Sequence, residues 1–274
     1  AVAALVKGGR DTRVMAGGTD LLVKIRHRML SPRTIVSLKR IAGLDAITLD
    51  KKTGLSIGAT ALLADVATHR GVCRHYPTVA EAAGATANVQ VRNMGTVVGN
   101  LCNASPSADN APTLLALGAT LSIAGPHGER TMALEDFFLG PGLSALKPAE
   151  IVTAVTVPPP LPHSGAAYVH LSARGKVDCS AVCIGAHVEM QGRKVNNARL
   201  FVGACAPIPM RTPRAENVMI RKVFTEKLAE KAGETASEEA LPITDVRASR
   251  DYRNSMVSVM TKRALLLAHK RARS

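Results

Sequence analysis

The sequence predicts an α+β protein of about two domains, and three observations carry that expectation. Its 274 residues exceed what one core usually holds, since domains run to roughly 100–200 residues each. The stretch Pro158-Pro159-Pro160-Leu161-Pro162, continuing to Gly165, reads as a linker, because consecutive prolines cannot pair into a ladder. Beyond it, strand-like segments come first and helical ones after, the order of an antiparallel sheet with helices on one face. The domains are accordingly 1–160 and 166–274.

Each element has a local reason. The opening AVAALVKGG reads as the tail of a helix closed by Gly8 or Gly9, so the natural N-terminus is expected upstream. Thr12 to Ala16 is a short apolar strand; Gly17-Gly18-Thr19-Asp20 turns it into a helix beginning at Leu21. Thr34 to Leu38, Ala46 to Asp50 and Leu55 to Ile57 read as strands, the last two joined by the hairpin turn Lys51-Lys52-Thr53-Gly54. Residues 60–87 read as helix with one break near Pro77. Residues 94–118 crowd Gly, Asn, Ser and Pro between apolar segments and read as a loop before helical spacing resumes at Leu114.

Thr120 to Ile123 and Arg130 to Ala133 are strands around a Pro126-His127-Gly128 turn, followed by a loop from Phe137 to Ser144. Residues 151–157 alternate as a strand and stop at the prolines. In the second domain, Tyr168 to Ser172, Ser180 to Glu189 and Ala198 to Ala204 are strands, turning at Gly175 and at Gln191-Gly192; helices follow over 212–233 and 252–272.

Composition narrows the function. The hydrophobic share of 46% and charged share of 20% suit a globular chain with a proper core. The net charge of +14 suggests an acidic or nucleic-acid partner. Against nucleic acid stands the aromatic content, with no Trp, three Tyr and four Phe, since single-strand binders stack bases on such rings. Residues 1–40 hold nine Lys or Arg against Asp11 and Asp20, so half of the excess sits there. Cys73, Cys102, Cys179, Cys183 and Cys205 form no CxxC pair and no zinc spacing with the histidines, which points to a reduced, cytoplasmic protein. The uncharged stretch 110–128 is broken by Pro112, Gly118 and Pro126 and is not a membrane span.

Two loops invite a ligand. At Gly17-Gly18-Thr19 successive glycines let the backbone approach an anion closely and point N–H groups at it; Arg13 can supply countercharge. The alternative is a tight turn with no ligand. Gly95-Thr96-Val97-Val98-Gly99-Asn100, with Asn103, Ser105 and Asp109, is a second loop rich in small hydrogen-bonding side chains. Asn103-Ala104-Ser105 matches a glycosylation acceptor, a poor fit for a chain read as intracellular. Neither loop is a Walker A or a GxGxxG sequence, so triphosphate hydrolysis and a Rossmann site lose ground.

Ala16-Gly17-Gly18-Thr19-Asp20-Leu21, Arg92 to Leu101 (RNMGTVVGNL) and Ala104 to Asp109 (ASPSAD) together resemble the FAD-binding subunit of molybdenum hydroxylases, the xanthine and carbon monoxide dehydrogenase relatives. The likeness extends through Leu134 to Phe138, Glu150 to Pro158, Tyr168 to Asp178 and Gly203 to Arg211, nearly the whole chain. It implies a two-lobed FAD-binding domain of the p-cresol methylhydroxylase type, with lobes of about 1–53 and 54–160, then a C-terminal flavoprotein domain. By resemblance, Arg13 and the loop Met15, Ala16, Gly17, Gly18, Thr19 and Asp20 hold the pyrophosphate, with Thr96, Gly99, Asn100 and Asn103 on its other side. Asp109 accepts from ribityl or ribose hydroxyls, Leu146 or Val152 packs on the flavin ring, and His170 falls where the family commonly has a lysine near it.

The resemblance further implies a molybdopterin-type molybdenum cofactor on a large partner subunit and two [2Fe–2S] clusters on a small one, assembled as a dimer of heterotrimers. Electrons pass from the clusters to FAD here and on to an external acceptor. Two departures stand out. Val98 occupies a position usually held by a second glycine, where a positive φ would strain it, and His170 replaces a fixed charge with one that titrates near neutrality. A stand-alone FAD-dependent reductase of the wider superfamily and a basic nucleic-acid-binding module remain as alternatives.

Overall fold

The structure is a computed structural model that describes residues 1–172, 175 and 179–273. The chain opens with α1 (Val2–Gly8), β1 (Thr12–Met15), α2 (Leu21–Arg26) and β2 (Thr34–Ser37). β1 and β2 pair in parallel, Thr12 opposite Thr34 through Met15 opposite Ser37. A parallel pair needs a crossover, and α2 provides it. The Ala16–Asp20 loop therefore lies where the strand's carboxyl end meets a helix start, the usual ligand position in such units.

Next come β3 (Ile47–Asp50) and β4 (Gly54–Gly58), then six short helices: α3 (Leu63–Thr68), α4 (Arg70–His75), α5 (Pro77–Ala85), α6 (Val89–Arg92), α7 (Val97–Cys102) and α8 (Asn110–Ala116). β5 (Thr120–Gly125), β6 (Gly128–Ala133), the small hairpin β7 (Phe138–Gly140) and β8 (Leu143–Ser144), and β9 (Ile151–Val157) complete this half. Its main sheet has the order β3-β4-β9-β5-β6, antiparallel throughout. The β3–β4 turn is set by Asp50, whose carboxylate accepts from the N–H groups of Lys52 and Thr53, both at 2.8 Å. The helices close over the sheet around Leu55, Ile57, Val66, Leu101, Leu114, Leu121 and Phe137.

The second half holds β10 (Ser164–Leu171), β11 (Val182–Gln191), β12 (Lys194–Gly203), β13 (Met210–Arg211), α9 (Pro213–Met219), α10 (Glu226–Glu239) and α11 (Arg250–Ala272). The strands form one antiparallel sheet in chain order, and the helices cover one face, as the sequence predicts. Alanines 229, 232, 236, 264 and 268 let α10 and α11 pack closely; a Cβ on Gly233 would stand 2.4 Å from the Ser258 carbonyl oxygen. The other face receives α8 of the first half, where a Cβ on Gly185 would stand 2.1 Å from the Pro112 carbonyl oxygen.

Several expectations are corrected. The helix read over 60–87 breaks twice, at Pro77 and also at His69, whose backbone is extended and whose Nδ1 accepts from the Val72 N–H to cap α4. The region 94–118 is not one loop, because Thr96 caps α7 inside it. Phe137 to Ser144 contains a hairpin. The helix read over 212–233 is interrupted because residues 221–224 hydrogen-bond to the start of β12 instead, Arg221 N–H to Val195 O at 2.8 Å and Phe224 N–H to Arg193 O at 3.0 Å. The Tyr168 to Asp178 stretch of the resemblance and the Gly175 turn run into residues 173, 174 and 176–178, which lie outside the described residues.

Candidate functional site

Loop Ala16–Asp20 is pinned at its start by Met15, whose carbonyl accepts from Leu38 N–H at 2.9 Å, and at its end by Gly18, whose carbonyl accepts from Leu22 N–H at 3.0 Å as α2 begins. Gly18 takes φ +80, a value that costs most residues strain. Gly17 lies flat against the other loop: a Cβ there would be 2.2 Å from Met94 O and 2.7 Å from Gly95 Cα. The two loops therefore touch backbone to backbone, which only glycine permits. Among the described residues, the N–H groups of Gly17, Gly18, Thr19 and Asp20 have no carbonyl partner, leaving a row of donors for an anion.

Opposite, Thr96 Oγ1 accepts from the Gly99 N–H at 2.9 Å, and a Cβ on Gly99 would come within 2.8 Å of that oxygen. Val98 sits inside α7, buried, with no positive φ. The strain expected there does not arise, because the segment is a helix rather than an open glycine loop. Lys24 Nζ donates to Asn103 Oδ1 at 2.8 Å and Asn103 Nδ2 donates to Asp20 Oδ1 at 2.9 Å, joining the two loops side chain to side chain. Partial loss of hydration against the neighbouring loop nudges the Asp20 carboxyl pKa upward, with Lys24 opposing.

Between these loops lies a cavity of about 550 Å³. Its walls bring together Arg13, Met15, Ala16, Gly17, Gly18, Thr19 and Asp20 with Thr96, Gly99, Asn100, Asn103 and Asp109, while Leu146 and Val152 join Leu38, Ala59 and Ile151 as apolar lining. Arg13 is braced by its Nη1, which donates to Arg10 O at 2.8 Å and Thr12 O at 3.0 Å. Of the cations near the loop, Arg13 and Lys24 line the cavity, whereas Arg26 and Arg28 do not.

Asp109 is buried, 6% exposed. Its Oδ1 accepts from Tyr168 at 2.8 Å and Ser180 at 2.6 Å, so the second domain holds a carboxylate on the wall of a first-domain cavity. Burial raises its carboxyl pKa, against those two hydrogen bonds and His170. His170 itself is not on the wall. Its ring stacks on Tyr168, centroids 5.6 Å apart and planes 12° apart, with Nδ1 3.5 Å from Ser180 Oγ. The structure thus sets His170 beside the Tyr168 and Ser180 pair that holds Asp109, and not among the described lining residues.

Sequence reasoning missed further wall residues. Thr86 and Ala87 line the cavity in a turn braced by Arg92, whose Nη1 donates to Thr86 O at 3.0 Å and Ala87 O at 2.7 Å. Ala87 takes φ +48, which no residue type announces. Glu150 also lines it, and Arg130 grips that carboxylate with two bonds of 2.8 and 2.7 Å, holding its pKa down to about 2. Cys102 is a wall residue whose thiol burial pushes up to about 12, so it stays protonated.

A row of main-chain donors, two braced cations, a buried carboxylate that can accept from hydroxyls, and an apolar wall suit a ligand with an anionic middle, a polyol and a flat ring. Residues 1–160 match the family described as the FAD binding domain in molybdopterin dehydrogenase. The chain belongs to that family. Residues 167–268 of this flavoprotein match the CO dehydrogenase flavoprotein C-terminal domain. It is 31% identical over 262 residues to the xanthine dehydrogenase FAD-binding subunit of Escherichia coli O157:H7, covering 95% of this chain and 90% of that one.

Among solved structures, the carbon monoxide dehydrogenase of Hydrogenophaga pseudoflava superposes with a TM-score of 0.94 at 31% identity, covering 98% of this chain and 93% of that chain. Quinoline 2-oxidoreductase from Pseudomonas putida 86 superposes with a TM-score of 0.92 at 30% identity, covering 100% and 94%. This chain is thus an FAD-binding oxidoreductase subunit of the molybdenum hydroxylase type, and the family sides with neither the stand-alone reductase nor the nucleic-acid module. Among the described residues no helix is long and apolar enough to cross a membrane.

Proposed function

We propose that FAD lies along this cavity with its diphosphate between the Met15–Asp20 loop and the residues Thr96, Gly99, Asn100 and Asn103. Arg13 and Lys24 answer its two negative charges. Asp109, held by Tyr168 and Ser180, accepts from ribityl or ribose hydroxyls, and Leu146 and Val152 keep water from the ring. His170 acts on the cofactor through Asp109 rather than by contact. When bound, FAD supplies exchange between single electrons and electron pairs.

The chain's own work in this reading is placement, insulation and a fixed electrostatic setting. Its partners are a small subunit with two [2Fe–2S] clusters and a large subunit with the molybdenum cofactor, in a dimer of heterotrimers; electrons enter from the clusters and leave to an external acceptor. The relatives named medium chains support a three-subunit setting. A cytoplasmic location fits Cys73, Cys102, Cys183 and Cys205, none of which is in a disulfide. We also propose a division of the chain at 160–166, with the first lobe ending before Ile47, because β3 belongs to the sheet of the second lobe.

The observation that carries the reading is convergence. Every residue assigned to the cofactor except His170 lies on one cavity, though they span positions 13 to 152. The test is flavin content: the purified chain should bind FAD with visible flavin bands, and Gly18→Asp should abolish them by placing a carboxylate against the diphosphate. A wild-type chain still colourless after incubation with excess FAD rejects the assignment.

A further inference from the structure

At the cavity wall, Thr86 at the end of α5 and Asn100 in α7 form, with the buried Asn110 at the start of α8 behind them, a relay of hydrogen bonds whose direction is fixed. Thr86 Oγ1 donates to Ala82 O at 2.8 Å. A carbonyl oxygen only accepts, so the single hydroxyl proton is committed there, and Thr86 can meet a further neighbour only as acceptor. That neighbour is Asn110, whose Nδ2 donates to Thr86 Oγ1 at 3.1 Å. The second proton of the same amide goes to Asn100 Oδ1 at 3.0 Å. Asn100 therefore turns its oxygen inward, which leaves its NH2 group for the cavity that it lines.

The opposite sense is costly. Asn110 is buried, 1% exposed, and among the described residues its Oδ1 has no partner. Reversing the amide would bury its NH2 group without those two acceptors and set two oxygens facing each other at Thr86. Orphaned buried N–H groups are rarer than orphaned carbonyl-type oxygens, so the arrangement seen leaves the less costly defect.

We infer that Asn110 and Thr86 are positioning residues for the cofactor: they fix the Asn100 amide so that it presents donors, and never an acceptor, to the anionic part of FAD. This rests on the FAD reading above. A diphosphate oxygen only accepts, so an asparagine free to turn spends part of its time in the repulsive sense, whereas a locked one is organised before binding.

The experiment is titration of the full apo-chain with FAD, followed by flavin fluorescence. Asn110→Leu and Thr86→Val should each weaken binding by roughly fivefold or more, the scale of a lost charge-assisted bond. Thr86→Ser, which keeps the hydroxyl, should restore what Thr86→Val loses. In an Asn100→Ala background, Asn110→Leu should cost nothing further, because its effect runs through Asn100. Additive losses in that double variant, or full affinity in Asn100→Ala, overturn the relay while leaving FAD binding intact. A wild-type chain that takes up no flavin overturns the FAD reading, and the relay with it. If Asn110→Leu does not fold, the Thr86 pair decides, since valine and threonine share a shape: equal affinity of Thr86→Val and Thr86→Ser rejects the inference.

Discussion

The Tyr168 hydroxyl donates to the Asp109 carboxylate across the boundary between the two domains, at 2.8 Å. A residue of the C-terminal half thus holds a group on the wall of the N-terminal half's cavity, so that half contributes to the site without lining most of it.

Asp109→Asn should separate stability from binding. Burial raises the folded-state pKa of Asp109 above 3.8, so its contribution is most favourable below that pH and is lost as pH rises through the folded value. The asparagine variant removes the buried charge but keeps an oxygen for Tyr168 and Ser180. Its apo-form should melt a few degrees above the wild type at pH 8, the gap closing towards pH 4, while FAD affinity falls. A variant melting below the wild type at pH 8 contradicts this account.

Arg130→Met should destabilise the chain at pH 7, since it leaves the Glu150 carboxylate, whose side chain is 8% exposed, without its guanidinium partner. Glu150 is held down to about 2 from an ordinary 4.5; a depressed carboxyl stabilises above the unfolded value and loses that contribution as pH falls through the folded one. The difference between variant and wild type should therefore shrink between pH 4.5 and 2. Denaturant midpoints across that range measure it, and a pH-independent difference would speak for lost packing instead.

Gly17→Ala and Gly18→Ala should differ sharply. At Gly17 the new methyl meets backbone at 2.2 Å, which cannot move aside without parting the two loops. At Gly18 it meets only the Met15 and Leu22 side chains, at 3.1 and 3.2 Å, and the cost is strain at φ +80, about 1 kcal/mol. We expect Gly17→Ala to lose FAD and Gly18→Ala to weaken it modestly, by flavin content after purification. Equal retention by both would mean that the loops do not need to touch.

The domain contact should depend on packing more than on charge. Arg271 donates to Glu81 across the boundary at 3.1 Å, both partly exposed, and such pairs contribute roughly 0–1 kcal/mol. Gly185→Ala instead drives a methyl to 2.1 Å from Pro112 O. Limited proteolysis near the 158–163 segment should accelerate in Gly185→Ala and stay close to wild type in Glu81→Ala.

Much of the site was legible because its residues announce themselves locally. Gly17-Gly18 between a strand and a helix start, and Thr96 three residues before Gly99, are short-range signals whose meaning does not depend on distant neighbours. The hairpins at Lys51-Lys52-Thr53 and Pro126-His127 likewise follow from turn chemistry. What stayed hidden depends on partners far along the chain. The breaks at His69 and at 221–224 carry no glycine or proline at the decisive position; one comes from a ring nitrogen capping a helix, the other from β12 capturing a backbone segment. The strain expected at Val98 from the family's glycine does not arise, because residues 97–102 are helical.

By itself the sequence determined the mixed helix-and-sheet class, the glycine loops, the hairpin turns and, through motifs spread from Ala16 to Arg211, the family and its flavin. Those are properties of spacing and residue type, which survive without knowing who touches whom. Only the tertiary structure decided that Gly17 must be a glycine because Met94 lies on it, that Arg130 holds Glu150, that Tyr168 and Ser180 hold Asp109, and that Asn110 donates to the Asn100 oxygen. Hydrogen-bond direction and steric exclusion are pairwise facts, and a pair separated by tens of residues exists only once the core has brought it together.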